Sequence, residues 1–236
     1  SLARAVADAG QRAFVGRVAM DDPDGTPDWY RDHSAAAGVA ASARSIDEIT
    51  AIDAGRGLVR PIITPRFTPA CTDDLLRGLG ELAASTGVPA QTHCSESDWA
   101  HGYALERFGM TDSSALDGFG LLRPGTVLAH ANHVTDDDAV LIRDRGAGVA
   151  HCPLSNAYFA NAVLPVRHLV DRGVQVGLGT DVAGGASPSL LHQAHDAVTV
   201  SRLLRDGVDS ARPPAGRGMS GSAIDATFGF WLATLG

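Results

Sequence analysis

The chain has 236 residues, 44% of them hydrophobic, which fits a single globular α/β domain. Its formal net charge of −8 argues against a nucleic-acid-binding surface, which usually carries a basic patch. Its three cysteines are too few and too scattered to form a disulfide framework. The sequence shows no signal peptide and no apolar stretch near the roughly 20 residues of a membrane span, so we expect a cytoplasmic protein.

Six short apolar runs predict β-strands. Most of them are apolar throughout and do not alternate, which is typical of parallel strands buried on both faces. The six runs are residues 13–20, 59–64, 88–92, 126–130, 148–151 and 174–180. Segments with helical periodicity lie between and after them; two begin after Thr72 and Thr135, and two others span residues 189–205 and 222–235.

A polar residue follows most of these runs. Arg66, His93, His130, His151 and Asp181 are separated by 27, 37, 21 and 30 positions, and one βα unit takes about 30 residues. This rhythm is typical of a (β/α)8 barrel, although a doubly wound sheet would give a similar one. No GxGxxG pattern follows the first strand, so a dinucleotide-binding fold is less favoured. In a parallel barrel the strand ends share one active site.

Four of the polar side chains suit a metal-centred hydrolytic site. His93 can bind a metal through neutral imidazole, and Glu96, three residues later, can shuttle a proton. Asp181 lies between an apolar strand and a glycine-rich turn, where it could be a metal ligand or a general base. A lone histidine at a strand end is more often structural, but His93, Glu96, His130 and Asp181 together favour one site.

Two further segments have less specific chemistry. Arg66 could hold an anionic or oxo group and Phe67 could stack on a planar ring, yet an ion-paired arginine beside a core phenylalanine is equally compatible. His151 and Asn156 suggest a role in shaping the site, whereas Cys152 has no evident partner base for a nucleophile.

These motifs together resemble one known family. The runs T-P-R-F at 64–67, H-C-S-E at 93–96, A-H at 129–130, H-C-P-L-S-N at 151–156 and G-L-G-T-D-V-A-G-G at 177–185 are similar in order and spacing to the guanine deaminase family of the amidohydrolase superfamily. The resemblance covers nearly the whole chain and is weakest over residues 210–222. It implies a TIM-type (β/α)8 barrel and hydrolytic deamination of guanine to xanthine and ammonia.

The resemblance also implies a role for each residue. His93 and Asp181 would ligate a catalytic zinc, with iron as an alternative, and His130 would orient the attacking water. Glu96 would be the proton shuttle and Asp181 the proton acceptor. Arg66 and Phe67 would bind the purine. The family is usually dimeric, which implies a homodimer. Another purine or triazine aminohydrolase, or a purine-binding chain without turnover, remains an alternative.

One departure from the family pattern affects what the chain itself can do. The family takes two more zinc ligands from an H-x-H pair on its first strand, and this sequence contains no H-x-H. The run at 13–20 resembles the family's third strand. We therefore expect an internal fragment with about six of eight barrel strands, which holds zinc poorly and lacks full activity.

Overall fold

The computed structural model describes residues 1–236. The chain forms short parallel β-strands, most of which are followed by a helix. The strands are β1 Ala13–Val15, β2 Val18–Ala19, β3 Val59–Pro61, β4 Thr64–Pro65, β5 Gln91–Cys94, β6 Val127–His130, β7 Gly148–His151 and β8 Gln175–Leu178. The α-helices are α1 Leu2–Asp8, α2 Ala35–Asp53, α3 Asp73–Thr86, α4 Asp98–Phe108, α5 Asp112–Gly118, α6 Asp136–Asp144, α7 Pro153–Ser155, α8 Val166–Asp171, α9 Leu190–Asp206 and α10 Ala226–Thr234. Single turns of other helix types are Thr68–Ala70, Asn156–Ala160 and Pro214–Gly216.

The chain divides into two units, which are described separately. The first comprises Ser1–Thr92 and Ala115–Thr126, and the second comprises His93–Ser114 and Val127–Gly236. None of the helices combines the length and apolar composition that crossing a bilayer requires.

The first unit pairs β1 with β3 and β2 with β4, both in parallel. Helix α3 begins at Thr72, whose side chain accepts a hydrogen bond from the backbone N–H of Leu75, and two aspartates in the first turn complement the helix dipole. On one face of this helix Leu75, Leu76 and Leu79 are inaccessible to solvent, and Leu82 is half-buried. The capping residue and the leucine spacing together therefore orient α3 toward the core.

The second unit contains most of a four-stranded sheet in the order β5-β6-β7-β8. The pairs β6–β7 and β7–β8 are parallel, and their register aligns Leu128, Val149 and Val176 in one buried row. Burial alternates along β6 and β7, so one face is fully buried and the other only partly. The predicted burial on both faces is therefore complete on only one face of these strands.

Three predicted elements differ from the observed ones, and the first is the run at 59–64, which is divided between β3 and β4. The run at 13–20 forms two strands rather than one, and the break includes Gly16, where an added Cβ would lie 2.2 Å from the carbonyl oxygen of Ile62. The last helix begins after Asp225, not at Ser222, because the Ser222 hydroxyl donates to the carbonyl of Met219 and Asp225 caps the helix.

Two helical glycines, one closely packed and one in open space, give a test of the packing around α3. We expect Gly80→Ala to destabilise the protein by about 1–3 kcal/mol or more, because the new Cβ would lie 1.8 Å from the carbonyl oxygen of Phe119. Gly102→Ala is the matched control: nothing lies within 4 Å of its Cβ, so it should gain up to about 1 kcal/mol of helix propensity. Urea unfolding measures both free energies. Equal stability of the two variants would contradict the close approach at Gly80.

Candidate functional site

The strand ends of the second unit turn into unusual backbone conformations. Six non-glycine residues in the chain have positive φ, and four of them are Ser95, His130, Ala131 and Asp181, with φ of 43°, 70°, 54° and 48°. Side chains with a Cβ seldom adopt this left-handed region, and such residues concentrate at functional sites. Two of the polar residues predicted from the sequence, His130 and Asp181, thus lie where the backbone is in this constrained region.

The turn after Asp181 is possible only with glycine. An added Cβ on Gly185 would lie 1.9 Å from the carbonyl oxygen of Thr180, and one on Gly184 would lie 2.7 Å from a carboxylate oxygen of Asp181. The backbone N–H of Gly185 donates to the carbonyl of Asp181. The two glycines therefore leave room for the Asp181 carboxylate beside its own backbone.

Three predicted side chains converge. One potential ligand atom each from Glu96, His130 and Asp181 lies within 4.8 Å of the other two. His130 is fully buried, whereas Glu96 and Asp181 are partly accessible, and the Nε2 atom of His130 is 3.7 Å from a carboxylate oxygen of Glu96. The His93 ring stacks beside the His130 ring, with centroids 5.4 Å apart and planes inclined by 22°. His93 is thus next to the three-residue cluster but is not one of its members.

Hydrogen bonds from outside the cluster hold two of its members. The Nδ1 atom of His130 lies 2.8 Å from Oδ1 of Asn156, which is completely buried. Asn156 in turn donates to Asn132, and Asn132 donates to the backbone carbonyl of Glu96, both at 2.8 Å. The sequence predicts a site-shaping role for Asn156 but gives no such prediction for Asn132. Its position two residues beyond a strand end was the available signal.

His151 is the most strongly perturbed base near the site. Its ring is completely buried, and neither ring nitrogen has a hydrogen-bond partner. Burial, with a smaller contribution from the nearby His130, lowers the pKa of His151 from 6.5 to about 3. The imidazole is therefore neutral at physiological pH.

The buried cysteine beside His151 is not a thiolate. Burial raises the pKa of the Cys152 thiol to about 12, and the charges of Asp181 and Glu96 act in the same direction. The thiol therefore stays protonated at neutral pH, which agrees with the absence of a partner base in the sequence.

Arg66 and Phe67 belong to the first unit and not to the unit that holds the cluster. Arg66 follows β4, its backbone N–H donates to the carbonyl of Ala19, and its side chain is exposed. Its guanidinium carbon lies 5.3 Å from the centre of the Phe67 ring, and Phe67 is half-buried. These two residues thus present a cation and an aromatic face side by side.

Comparison with known proteins matches residues 1–216 to the Amidohydrolase family. A protein named Probable guanine deaminase from Schizosaccharomyces pombe is 43% identical over 83% of this chain and 37% of its own length. A 5-methylthioadenosine/S-adenosylhomocysteine deaminase from Natronomonas pharaonis is 32% identical over 90% of this chain and 48% of its own length. This chain thus spans less than half of either relative.

The same resemblance holds among solved structures. The crystal structure of guanine deaminase from C. acetobutylicum with bound guanine superposes with a TM-score of 0.83 at 28% identity. The match covers 99% of this chain and 53% of that one. The architecture of both units therefore has a counterpart in an experimentally determined fold.

The buried imidazole of His151 predicts a pH dependence of stability. Because its pKa is about 3 in the folded state and 6.5 when unfolded, the unfolded chain binds the extra proton between these values. Stability should therefore fall on acidification below about pH 6.5, with a slope approaching about 1.4 kcal/mol per pH unit from this residue.

Urea unfolding at several pH values measures that slope. We expect His151→Phe to flatten it, since phenylalanine has no group to protonate at this buried position. His195→Ala is the control, because that side chain is 78% exposed and should leave the slope unchanged. An unaltered slope in His151→Phe would show that other groups cause the acid sensitivity.

Proposed function

Because this chain belongs to the amidohydrolase family, we propose that it carries the catalytic residues of a hydrolase that converts guanine and water to xanthine and ammonia. The observation that carries the proposal is the convergence of Glu96, His130 and Asp181 at the ends of β5, β6 and β8, three strands of one sheet. The similarity to guanine deaminases, one of them with bound guanine in its active site, supports guanine as the substrate.

The donor set fits a zinc site. Imidazole nitrogen and carboxylate oxygen are ligands that zinc accepts, and His93, His130 and Asp181 supply both kinds. We assign His93 and Asp181 as ligands, with His130 beside them; iron would accept the same donors. When bound, such an ion would act as a Lewis acid and make water more acidic.

The chain's own residues would then move the protons. Asp181 accepts a proton from the water that attacks the carbon bearing the exocyclic amine. Glu96, protonated at the outset, donates its proton to the adjacent ring nitrogen. It then takes the proton of the newly added hydroxyl and passes it to the amine, which leaves as ammonia while the ring carbon becomes a carbonyl. Transfer of the proton held by Asp181 to Glu96 restores the starting state. The buried His130 orients the water. Glu96 is partly accessible, as a residue that meets substrate must be.

Arg66 and Phe67 are proposed to bind the purine. An exposed guanidinium can donate to the carbonyl oxygen of guanine, and a half-buried phenyl ring can stack on a planar heterocycle. The cation–π contact between the two side chains limits the freedom of the arginine before substrate arrives.

A second candidate is deamination of another purine derivative. The Natronomonas pharaonis relative, named for methylthioadenosine and S-adenosylhomocysteine, supports this reading. Ammonia release from guanine, adenine nucleosides and triazines separates the candidates, and purine binding without ammonia release would indicate a non-catalytic chain. A homodimer and a cytoplasmic location remain predictions of the resemblance.

We further propose that the strands belong to a TIM-type (β/α)8 barrel, of which this chain contributes about six strand positions. Parallel pairing of neighbouring strands and the placement of polar residues at their ends support this arrangement.

Glu96→Gln tests the proton shuttle. In a polypeptide that contains residues 1–236, the replacement should lower kcat for guanine by about 10²- to 10⁴-fold, the usual contribution of general acid–base catalysis. Bound zinc should stay unchanged, because the shuttle is not an assigned ligand. Glu106→Gln is the matched control, since Glu106 is exposed on α4. Full activity in Glu96→Gln would remove this residue from the mechanism.

Arg66→Ala tests the assignment of the substrate site. We expect KM for guanine to rise about tenfold or more, because a charge-assisted hydrogen bond to substrate contributes about 1.5–3 kcal/mol. Zinc content should not change. Arg60→Ala, which removes another exposed arginine of the first unit, should leave KM as it was. An unchanged KM in Arg66→Ala would make Arg66 a structural residue.

A further inference from the structure

We propose that Asn132 and Asn156 form an amide relay that holds His130 in the tautomer with its proton on Nδ1 and positions Glu96 beside it. The relay is defined as the hydrogen-bonded series from the Glu96 carbonyl through Asn132 and Asn156 to the His130 ring. Its effect on turnover rests on the proposed function, whereas the tautomer is a property of the folded chain alone.

The orientation of the relay is set at its Glu96 end. A backbone carbonyl can only accept a hydrogen bond, so the atom of Asn132 that faces the Glu96 oxygen at 2.8 Å must be the Nδ2 donor. The Oδ1 atom of Asn132 consequently points the other way. This removes the ambiguity between the two ends of an amide side chain.

The orientation of the Asn132 amide in turn determines that of Asn156, and Asn156 determines which ring nitrogen of His130 carries the proton. Because Asn132 presents Oδ1 to Asn156, the facing atom of Asn156 at 2.8 Å must be its Nδ2 donor. Oδ1 of Asn156 then faces His130 Nδ1 at 2.8 Å, and an acceptor there requires a proton on Nδ1. A single carbonyl thus determines the tautomer of an imidazole two side chains away.

Burial raises the free energy of the alternative His130 tautomer, which has its proton on Nε2. His130 is 1% exposed and Asn156 is 0% exposed, so water cannot replace a lost partner. With the proton on Nε2 instead, the Nδ1 lone pair would face the lone pairs of Oδ1, and two buried acceptors would be unsatisfied. The Nε2 atom therefore keeps its lone pair, 3.7 Å from the Glu96 carboxylate.

Backbone contacts make the relay stiff at both ends. The backbone N–H of Asn132 donates to the Ser95 carbonyl at 3.1 Å, and its side chain donates to the Glu96 carbonyl. Asn132 therefore holds both of these consecutive residues. The Asn156 N–H donates to the Cys152 carbonyl at 2.9 Å. These bonds fix the backbone from which both amide side chains extend.

The test compares two replacements of Asn156. Nitrogen-15 NMR of the histidine rings in the 236-residue chain, at a pH where imidazole is neutral, reports the His130 tautomer. We expect Nδ1–H in the unmodified chain, loss of this single tautomer in Asn156→Leu, and its return in Asn156→Asp, whose carboxylate accepts from Nδ1. Asn161→Asp is the control, because Asn161 is exposed beyond the same turn and should leave the tautomer unchanged.

Kinetics supply the second readout. Loss of a residue that orients a site histidine typically costs about 10- to 100-fold, and we expect Asn156→Leu to lower kcat for guanine by this factor with little change in KM. Asn132→Asp keeps an acceptor for Asn156 but loses the donor to Glu96, so it should lower kcat while retaining the Nδ1–H tautomer.

The two proposals fail separately. An unmodified chain with Nδ1–H but no action on guanine would overturn the proposed function and leave the relay intact. A proton on Nε2 in the unmodified chain, or Nδ1–H retained in a folded Asn156→Leu variant, would overturn the relay. Should Asn156→Leu not fold, the unmodified chain and the Asn156→Asp and Asn132→Asp variants still decide the question.

Discussion

Strand ends that turn into left-handed backbone bring the polar side chains of the second unit together. Each non-glycine residue in this region costs of the order of 1–3 kcal/mol and persists only where its surroundings hold it. At Ser95 the backbone N–H donates to the buried Asp112 carboxylate at 2.9 Å, and at His130 the ring is held by Asn156. Without these contacts the backbone would relax and the ligand atoms of Glu96, His130 and Asp181 would separate.

The protonation states of the buried groups decide which chemistry the site can do. Burial raises the pKa values of the Cys94 and Cys152 thiols far above neutrality, so neither is an effective nucleophile. Burial also keeps His151 neutral. What remains are the two carboxylates and the imidazole of the cluster, which can exchange protons with water and substrate. General acid–base hydrolysis is therefore better supported than covalent catalysis.

The sequence predicted the family and the elements whose signals are local. Helix starts at Thr72 and Thr135 are confirmed, because a capping side chain and its backbone partner lie within three residues of one another. The Amidohydrolase family is also confirmed. The break at Gly16 depends on the close approach of Ile62, and Ser222 and Ile224 before α10 also bond to the distant Ser201, so a local pattern could not reveal these contacts.

Site geometry was predictable in part. The spacing of strand ends predicted one site from His93, Glu96, His130 and Asp181, because parallel strands place their carboxyl ends at one edge. Of these four, Glu96, His130 and Asp181 offer ligand atoms within 4.8 Å of one another. The spacing could not predict that His93 stacks on His130 while lying outside the cluster, since side-chain rotation sets that arrangement. The role of Asn132 could not be predicted either, because it depends on the Glu96 carbonyl, which is 36 residues away in sequence.

The chemistry of the relay explains why amides and not carboxylates orient His130. An aspartate at either relay position would also accept a hydrogen bond, but it would add a third negative charge near Glu96 and Asp181. Like charges in a partly buried site repel strongly because the local dielectric is low. A neutral asparagine instead accepts at one end and donates at the other, which passes orientation along without charge. The site therefore keeps two carboxylates for a cation or a proton, together with an imidazole lone pair of known direction.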